Sequence, residues 1–273
     1  MPVINTNVSS LQAQQALNVN QRTMSTAMQQ LSTGSRINSS KDDAAGLGIT
    51  QTMTAQVRGL NQAVRNLNDG LNMIQTADGA LQETSNMLQR MRELAVQSAN
   101  ATNSGTQRGY LQTEFAALAT QINKIANDTT WNGVQLIQTG VSFAFQAGMN
   151  SGQTITISVA SGLLASNLAV DASSNSIGTA TSASTAIAVL DTAIATVAST
   201  RAGFGAGMNQ MTYAVDNLSN ISANTAASRS TIMDTDYAVA SSALSKSQII
   251  QQAATAMLAQ ANSGPASVLT LLK

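Results

Sequence analysis

The sequence contains no cysteine and no histidine. Without cysteine there is neither a disulfide framework nor a thiol nucleophile. Without histidine there is no imidazole base and no common zinc ligand. Those two gaps exclude most triad and metal chemistry. Proline is confined to Pro2 and Pro265, and aromatic residues make up only 3% of the chain. A chain so free of helix breakers and rich in Ala, Gln, Leu and Met suits long helices. The 13 acidic and 13 basic residues cancel, so no broad field favours nucleic acid or an anionic membrane. No unbroken apolar run reaches membrane-spanning length. The N-terminal MPVINTNVSS has neither the basic patch nor the apolar segment of a Sec-type signal, and none is expected.

What the chain does have is a long apolar rhythm. Met53, Val57, Leu60, Val64, Leu67, Leu71 and Ile74 follow alternating steps of four and three, continuing through Asp78, Leu81, Leu88, Arg92 and Ala95. This spacing lines one stripe of a helix that requires a partner helix. A helix over roughly 42–100 would be on the order of 90 Å long. Leu111, Phe115, Leu118, Ile122 and Ile125 repeat the rhythm, as do Ile187, Leu190, Ile194, Val197, Phe204, Met208, Met211, Val215 and Leu218, with Arg201 in one seam position. The prediction is a mainly α fold: a long antiparallel helical rod or coiled-coil bundle, with a small β-hairpin region and a terminal helix pair.

The two ends share an unusual composition. Arg22 is the only charged side chain before Arg36, and Lys246 and Lys273 are the only ones after Tyr237. Exposed helix faces normally carry Lys and Glu. A polar face of Asn, Gln, Ser and Thr is easier to bury, because charges are far costlier to desolvate. The ends therefore read as helices that are solvated alone and buried in an assembly.

Between these parts, residues 34–48 read as a connector punctuated by Gly34, Gly46 and Gly48, with Ser40 as the expected N-cap and Asp42 and Asp43 in the first turn. Its GxG is no phosphate loop, since no buried strand precedes it and no GK[ST] follows. From 134 to 160 the period becomes two. Val141, Phe143 and Phe145, the turn 149–152, and Thr154–Val159 form a predicted β-hairpin that packs near Trp131. Residues 161–185, poor in periodicity, read as a short exposed connection. Gly203, Gly205 and Gly207 either weaken the returning helix or permit close approach. Asp42 with Asp43 and Asp234 with Asp236 fit capping better than acid–base work, and the abundant hydroxyls have no base beside them. No catalytic, cofactor or metal residues are assigned, and the chain reads as a structural protein rather than an enzyme.

Several stretches resemble bacterial flagellin: INTNVSSLQAQQALN at 4–18, LSTGSRINSSKDDAAGLGI at 31–49, QRMRELAVQSAN at 89–100, NGVQLI at 132–137 and LAQANSGPASVLTLL at 258–272. The likeness covers both ends and both helical halves. Many flagellins carry outer domains between the halves; here only 161–185 is available, as in a short form. The resemblance implies a subunit of the extracellular bacterial flagellar filament, without cofactors. It implies export through the flagellar type III apparatus and polymerisation with itself for motility. It further implies partners in an export chaperone, the filament cap and hook-junction proteins, and no nucleic acid or membrane ligand.

The resemblance also implies five segments: an axial core helix at 1–40, rod helices and hairpin at 41–160, the connection at 161–185, a rod helix at 186–234, and a second axial core helix at 235–273. Axial packing is expected from Ile4, Val8, Leu11, Leu31, Ile250, Met257, Leu258, Leu269 and Leu272. In flagellins the paired ends are loose in the free subunit, which the charge-poor composition explains. The family's pattern for the vertebrate Toll-like receptor 5 maps onto Gln89, Arg90, Leu94 and Glu114, with Arg90 as a forked charged contact and Leu94 as an apolar one. Ser173, Ser174, Thr179 and Thr181 are candidate O-glycosylation sites if exposed. The alternative within the family is a hook–filament junction protein. Rivals outside it are a secreted enzyme on the same scaffold and a plain helical-bundle adhesin.

Overall fold

The computed structural model describes residues 6–138, 140–159, 162–171 and 175–271, with side chains described to residue 263. The elements run α1 (Val8–Thr33), α2 (Ala44–Ala99), α3 (Gly105–Asp128), β1 (Thr130–Trp131), β2 (Val134–Gln135), β3 (Ser142–Gln146), β4 (Thr154–Ser158), α4 (Ala180–Met233) and α5 (Tyr237–Leu271). They fall into two compact units: residues 58–222, and residues 1–57 with 223–273.

The first unit is a helical bundle carrying a β-hairpin. Its core stripe on α2 is Leu60, Ala63, Leu67, Ile74, Ala77, Leu81, Leu88, Met91 and Ala95, all buried, with Gly70 and Thr84 at the intervening steps. Phe115, Ala119 and Ile122 of α3 join it, as do Ala186, Leu190, Ala193, Val197, Phe204, Met211 and Leu218 of α4. Half of the predicted stripe is therefore displaced by one residue. Small residues at 63, 70 and 77 carry little hydropathy but allow helices to approach, so they occupy the seam while Val64 and Leu71 pack at its edge. Asp78, Arg92 and Arg201 flank the seam and pair. Arg201 donates to Asp78 at 2.8 and 3.4 Å, and Arg92 to Asp191 at 2.6 Å. The two α2–α4 ion pairs run in opposite senses, acid to base and then base to acid, which favours one antiparallel register.

By length and composition α4 meets the requirement for a membrane span, with a mean hydropathy of 1.3 in its most apolar window. Alanine supplies much of that value, and Ala183, Ala186, Leu190, Ala193 and Val197 are spent on the core.

The hairpin forms as predicted, with Phe143 paired to Ile157 and Phe145 to Ile155. Gly152, at φ 82°, makes its turn possible. Phe145 lies on α2 where Gly70 leaves room: a Cβ there would meet the ring at 2.8 Å. Gly207 performs the same service on α4, where a Cβ would stand 2.4 Å from Ile157 Cδ1. A second, two-residue hairpin, β1–β2, turns at Asn132-Gly133, both at positive φ, as the Asn-Gly signal requires.

The segment 161–185 departs from the expected exposed connection. Leu163, Ala165, Leu168, Val170 and Ile177 are buried. Their backbone groups are anchored by Leu163 N–H to Ile137 O (2.9 Å), Ala165 N–H to Asn123 Oδ1 (2.9 Å) and Ile177 N–H to Gln112 Oε1 (2.6 Å). A few apolar residues without period pull the loop inward, and α4 begins at Ala180.

In the second unit, α1 ends at Gly34 in the left-handed region, φ 68°. The chain then crosses the end of α4. Ser35 bridges Asp234, Thr235 N–H donates to Gly34 O (2.9 Å), and the Arg36 guanidinium donates to Ile232 O at 2.6 and 3.1 Å. A cation on those last carbonyls complements the helix dipole. The α2 cap is Asp43, not Ser40: its carboxylate accepts Gly46 N–H at 2.8 Å. Gly46 lies inside the first turn, where a Cβ would meet Asp43 Oδ2 at 2.3 Å. Asp42 instead ties the preceding turn. The Ser39 hydroxyl, donating to it at 2.9 Å, holds that carboxylate below its ordinary range.

The glycines of α4 yield a prediction with two signs. Gly207→Ala should destabilise the protein by about 1–3 kcal/mol, because the hairpin must shift. Gly203→Ala and Gly205→Ala, which meet nothing within 4 Å, should each stabilise it by roughly 0.5–1 kcal/mol through helix propensity. Urea unfolding of the three variants reads the difference.

Candidate interaction surface

The terminal helices pair antiparallel, as the order of their cross-links shows: Asn7 Nδ2 to Ala261 O (2.7 Å), Ser10 Oγ to Asn262 Oδ1 (2.8 Å) and Asn20 Nδ2 to Ser247 O (2.8 Å). On α1 the facing positions are Ala13, Leu17, Asn20, Met24, Ala27 and Leu31; on α5 they are Ala240, Leu244, Ser247, Gln251, Ala254, Leu258 and Ala261. Both series step by four and three, the signature of a paired helical seam. Most members are small or polar, so the seam buries little apolar area. Asn20 and Ser247 sit in its middle, buried and hydrogen-bonded to each other. A polar residue at such a position selects register at some expense in stability.

Several other apolar side chains point away from the seam. Val8 is 51% exposed and Leu11 57%; on α5, Val239 and Ile249 are each 66% exposed and Met257 65%. Val19 and Ile250 are also exposed, and they line a groove of 720 Å³ with Ala16, Asn20, Ala243 and Lys246. Apolar exposure on both helices of a pair marks an interaction surface.

The structure thus sorts the expected axial residues. Leu31 and Leu258 lie in the intramolecular seam, half-buried. Val8, Leu11, Ile250 and Met257 lie outward and exposed. Ile4 and Leu272 fall outside the described residues, as does the side chain of Leu269. Sequence reasoning missed Val239 and Ile249 on the outer face, and Asn20 and Ser247 in the seam. Asn20 lies seven residues from both Ala13 and Ala27, a spacing that marks the seam once polar residues are admitted to it.

On the bundle unit, Arg90 pairs with one other expected residue, Glu114, and with Glu93, which was not expected. Its Nε donates to Glu114 Oε1 and its Nη1 to Glu93 Oε2, both at 2.9 Å. The Glu114 hydrogen bond, then that of Glu93, raises the guanidinium pKa. Gln89 is exposed beside them. Leu94 is different: it is 1% exposed and packed in the core, so it offers no apolar surface contact, and its place on the inner stripe of α2 explains why. Thr179 and Thr181 are exposed. The Thr179 hydroxyl is engaged at the start of α4, 2.7 Å from Ser182 Oγ and accepting Ser182 N–H at 3.2 Å. Ser173 and Ser174 fall outside the described residues.

A self-contained helical bundle, together with a charge-poor helix pair that leaves apolar side chains open to water, is the architecture of an associating structural protein. Comparison with known proteins agrees. Residues 4–141 match the bacterial flagellin N-terminal helical region, and residues 187–272 the bacterial flagellin C-terminal helical region. The chain is 41% identical to a flagellin of Halalkalibacterium halodurans, over 99% of its own length and 100% of that protein's. It is 33% identical to flagellin B of Vibrio cholerae, covering 98% and 99%. The crystal structure of Bacillus cereus flagellin is similar with a TM-score of 0.50 and 33% identity, covering 56% of this chain and 88% of that one. The chain belongs to the bacterial flagellin family, a family of structural flagellar filament subunits.

The polar seam generates a test of its own. Asn20→Leu removes one hydrogen bond and buries an aliphatic side chain, a net gain of about 1 kcal/mol for the isolated pair. In the filament, where α1 and α5 are ordered, their helix signal in circular dichroism should persist to higher temperature; a lower midpoint would contradict the assignment of Asn20 to the seam.

Proposed function

We propose that this chain is the repeating subunit of an extracellular flagellar filament, that it polymerises with itself, and that it catalyses nothing. The observation that carries the proposal is the outward apolar face of α1 and α5. Val8 and Leu11 on one helix, and Val239, Ile249 and Met257 on the other, are left in water by the single chain. Neighbouring copies cover them, at about 25 cal/mol per Å² of apolar surface removed from water. The scarcity of charge on both helices keeps the polar part of that burial inexpensive. The contacts are heterologous, so growth does not close. Ile4, Leu269 and Leu272 belong to the same axial packing, within the segments 1–40 and 235–273. Export as an unfolded chain, guided by a chaperone and capped at the growing end, accompanies this role, and the chain abuts hook-junction proteins at its base.

Ile249→Asp and Met257→Asp provide the test. Both side chains are about two-thirds exposed, so the free chain should melt within roughly 0.5 kcal/mol of wild type. Addition to filament seeds should fall at least tenfold, as burying an unpaired carboxylate predicts. Normal growth of either variant would reject the surface. Wild-type growth that stops after a few subunits would point instead to a junction protein.

A second role rests on the exposed Arg90, Glu93 and Glu114 cluster. Toll-like receptor 5 would engage Gln89, Arg90 and Glu114, with Leu94 acting from beneath as support rather than as a contact. Arg90→Ala chain, applied as monomer to a receptor reporter, should signal about tenfold less; an unchanged response would remove Arg90 from that role.

A further inference from the structure

The side of the hairpin that lies on α2 borders a shallow, open hollow of 310 Å³ lined by Asn66, Asp69, Gly70, Met73, Trp131, Ala144, Phe145 and Gln146. Its walls are aromatic: Trp131, the only tryptophan in the chain, and Phe145, seated on Gly70. Its single charge is the Asp69 carboxylate, which is exposed and has no partner among the described residues. Gln146 directs its NH₂ to Gly148 O (2.9 Å) and Asn150 O (2.6 Å), which leaves its oxygen free to accept, and Asn66 Oδ1 accepts from Gln62 Nε2 (2.9 Å). Aromatic faces, one carboxylate and one amide acceptor suit an organic cation. The same chain exposes Arg58 and Lys124, neither paired to an acid among the described residues.

We propose that the Trp131–Phe145–Asp69 hollow receives an arginine or lysine side chain from a second copy of this chain. The cation lies against the indole face while Asp69 neutralises it, and a register-specific contact is added that the apolar faces of α1 and α5 lack. The occupant rests on the assembly reading given above; the cation-binding property of the hollow does not.

The lone tryptophan is the reporter, and the full-length chain is the sample. In dilute monomer, argininamide chloride should shift Trp131 emission to a plateau, against sodium chloride at matched ionic strength. Asp69→Asn should weaken that response about threefold or more. In wild-type filaments, acrylamide should quench Trp131 about threefold less than in monomer, while in Asp69→Asn filaments quenching should return toward the monomer value. An argininamide response that is absent, or is equal in the variant, overturns the site. Filaments in which wild type and Asp69→Asn shield Trp131 equally overturn the occupant. Failure of wild type to polymerise would contradict the assembly reading alone, and the monomer titration then decides the hollow.

Discussion

The α1–α5 seam governs the behaviour of this chain. Its facing positions are Ala, Ser, Asn and Gln as often as Leu or Met, so two long helices meet closely but gain little from meeting. Ordering some sixty residues opposes that gain at about 1 kcal/mol or more of backbone entropy each. Helix hydrogen bonds offset part of the deficit; the rest needs further burial. The side chains able to supply it, Val8, Leu11, Val239, Ile249 and Met257, face outward. A pair built this way is incomplete by itself and complete when other copies stand against it.

The bundle unit follows the opposite rule. Phe115, Phe204, Leu67, Ile74, Leu81, Leu88 and Ile122 are fully buried within one chain, and two inverted Arg–Asp pairs fix the register of α2 against α4. Glycine at 70 and 207 lets the hairpin lie directly on the helices. This unit buries its large apolar side chains within one chain, and the Arg90 cluster and the Trp131 hollow lie on its surface. Division of labour between a self-sufficient bundle and a dependent helix pair is what a filament subunit needs: it must be soluble before assembly and strongly held after it.

Long periodic segments were legible in the sequence. Helix existence, the hairpin at Phe143–Phe145 and Ile155–Ile157, and the charge-poor ends follow from spacing and composition alone. Three features did not, each for a physical reason. Small residues carry almost no hydropathy, so apolar spacing alone sets half of the stripe one position away from Ala63, Gly70 and Ala77. Isolated apolar residues without a period, such as Leu163 and Ile177, look like loop, although tertiary hydrogen bonds from Asn123 and Gln112 draw them inside. Polar residues carry no apolar signal at core positions, so spacing of apolar residues does not reveal Asn20 and Ser247 in the seam. Leu94 shows the converse error: a position matched by resemblance to a surface role belongs to the buried stripe.

Amide hydrogen exchange on one sample in two states, dilute chain and sedimented filament, tests the central claim most directly. Residues 8–33 and 237–263 should exchange rapidly in the dilute chain and become protected by several orders of magnitude in the filament, while the 58–222 bundle stays protected in both. Strong protection of both terminal helices in the dilute chain would show that the seam suffices alone, and would contradict the account.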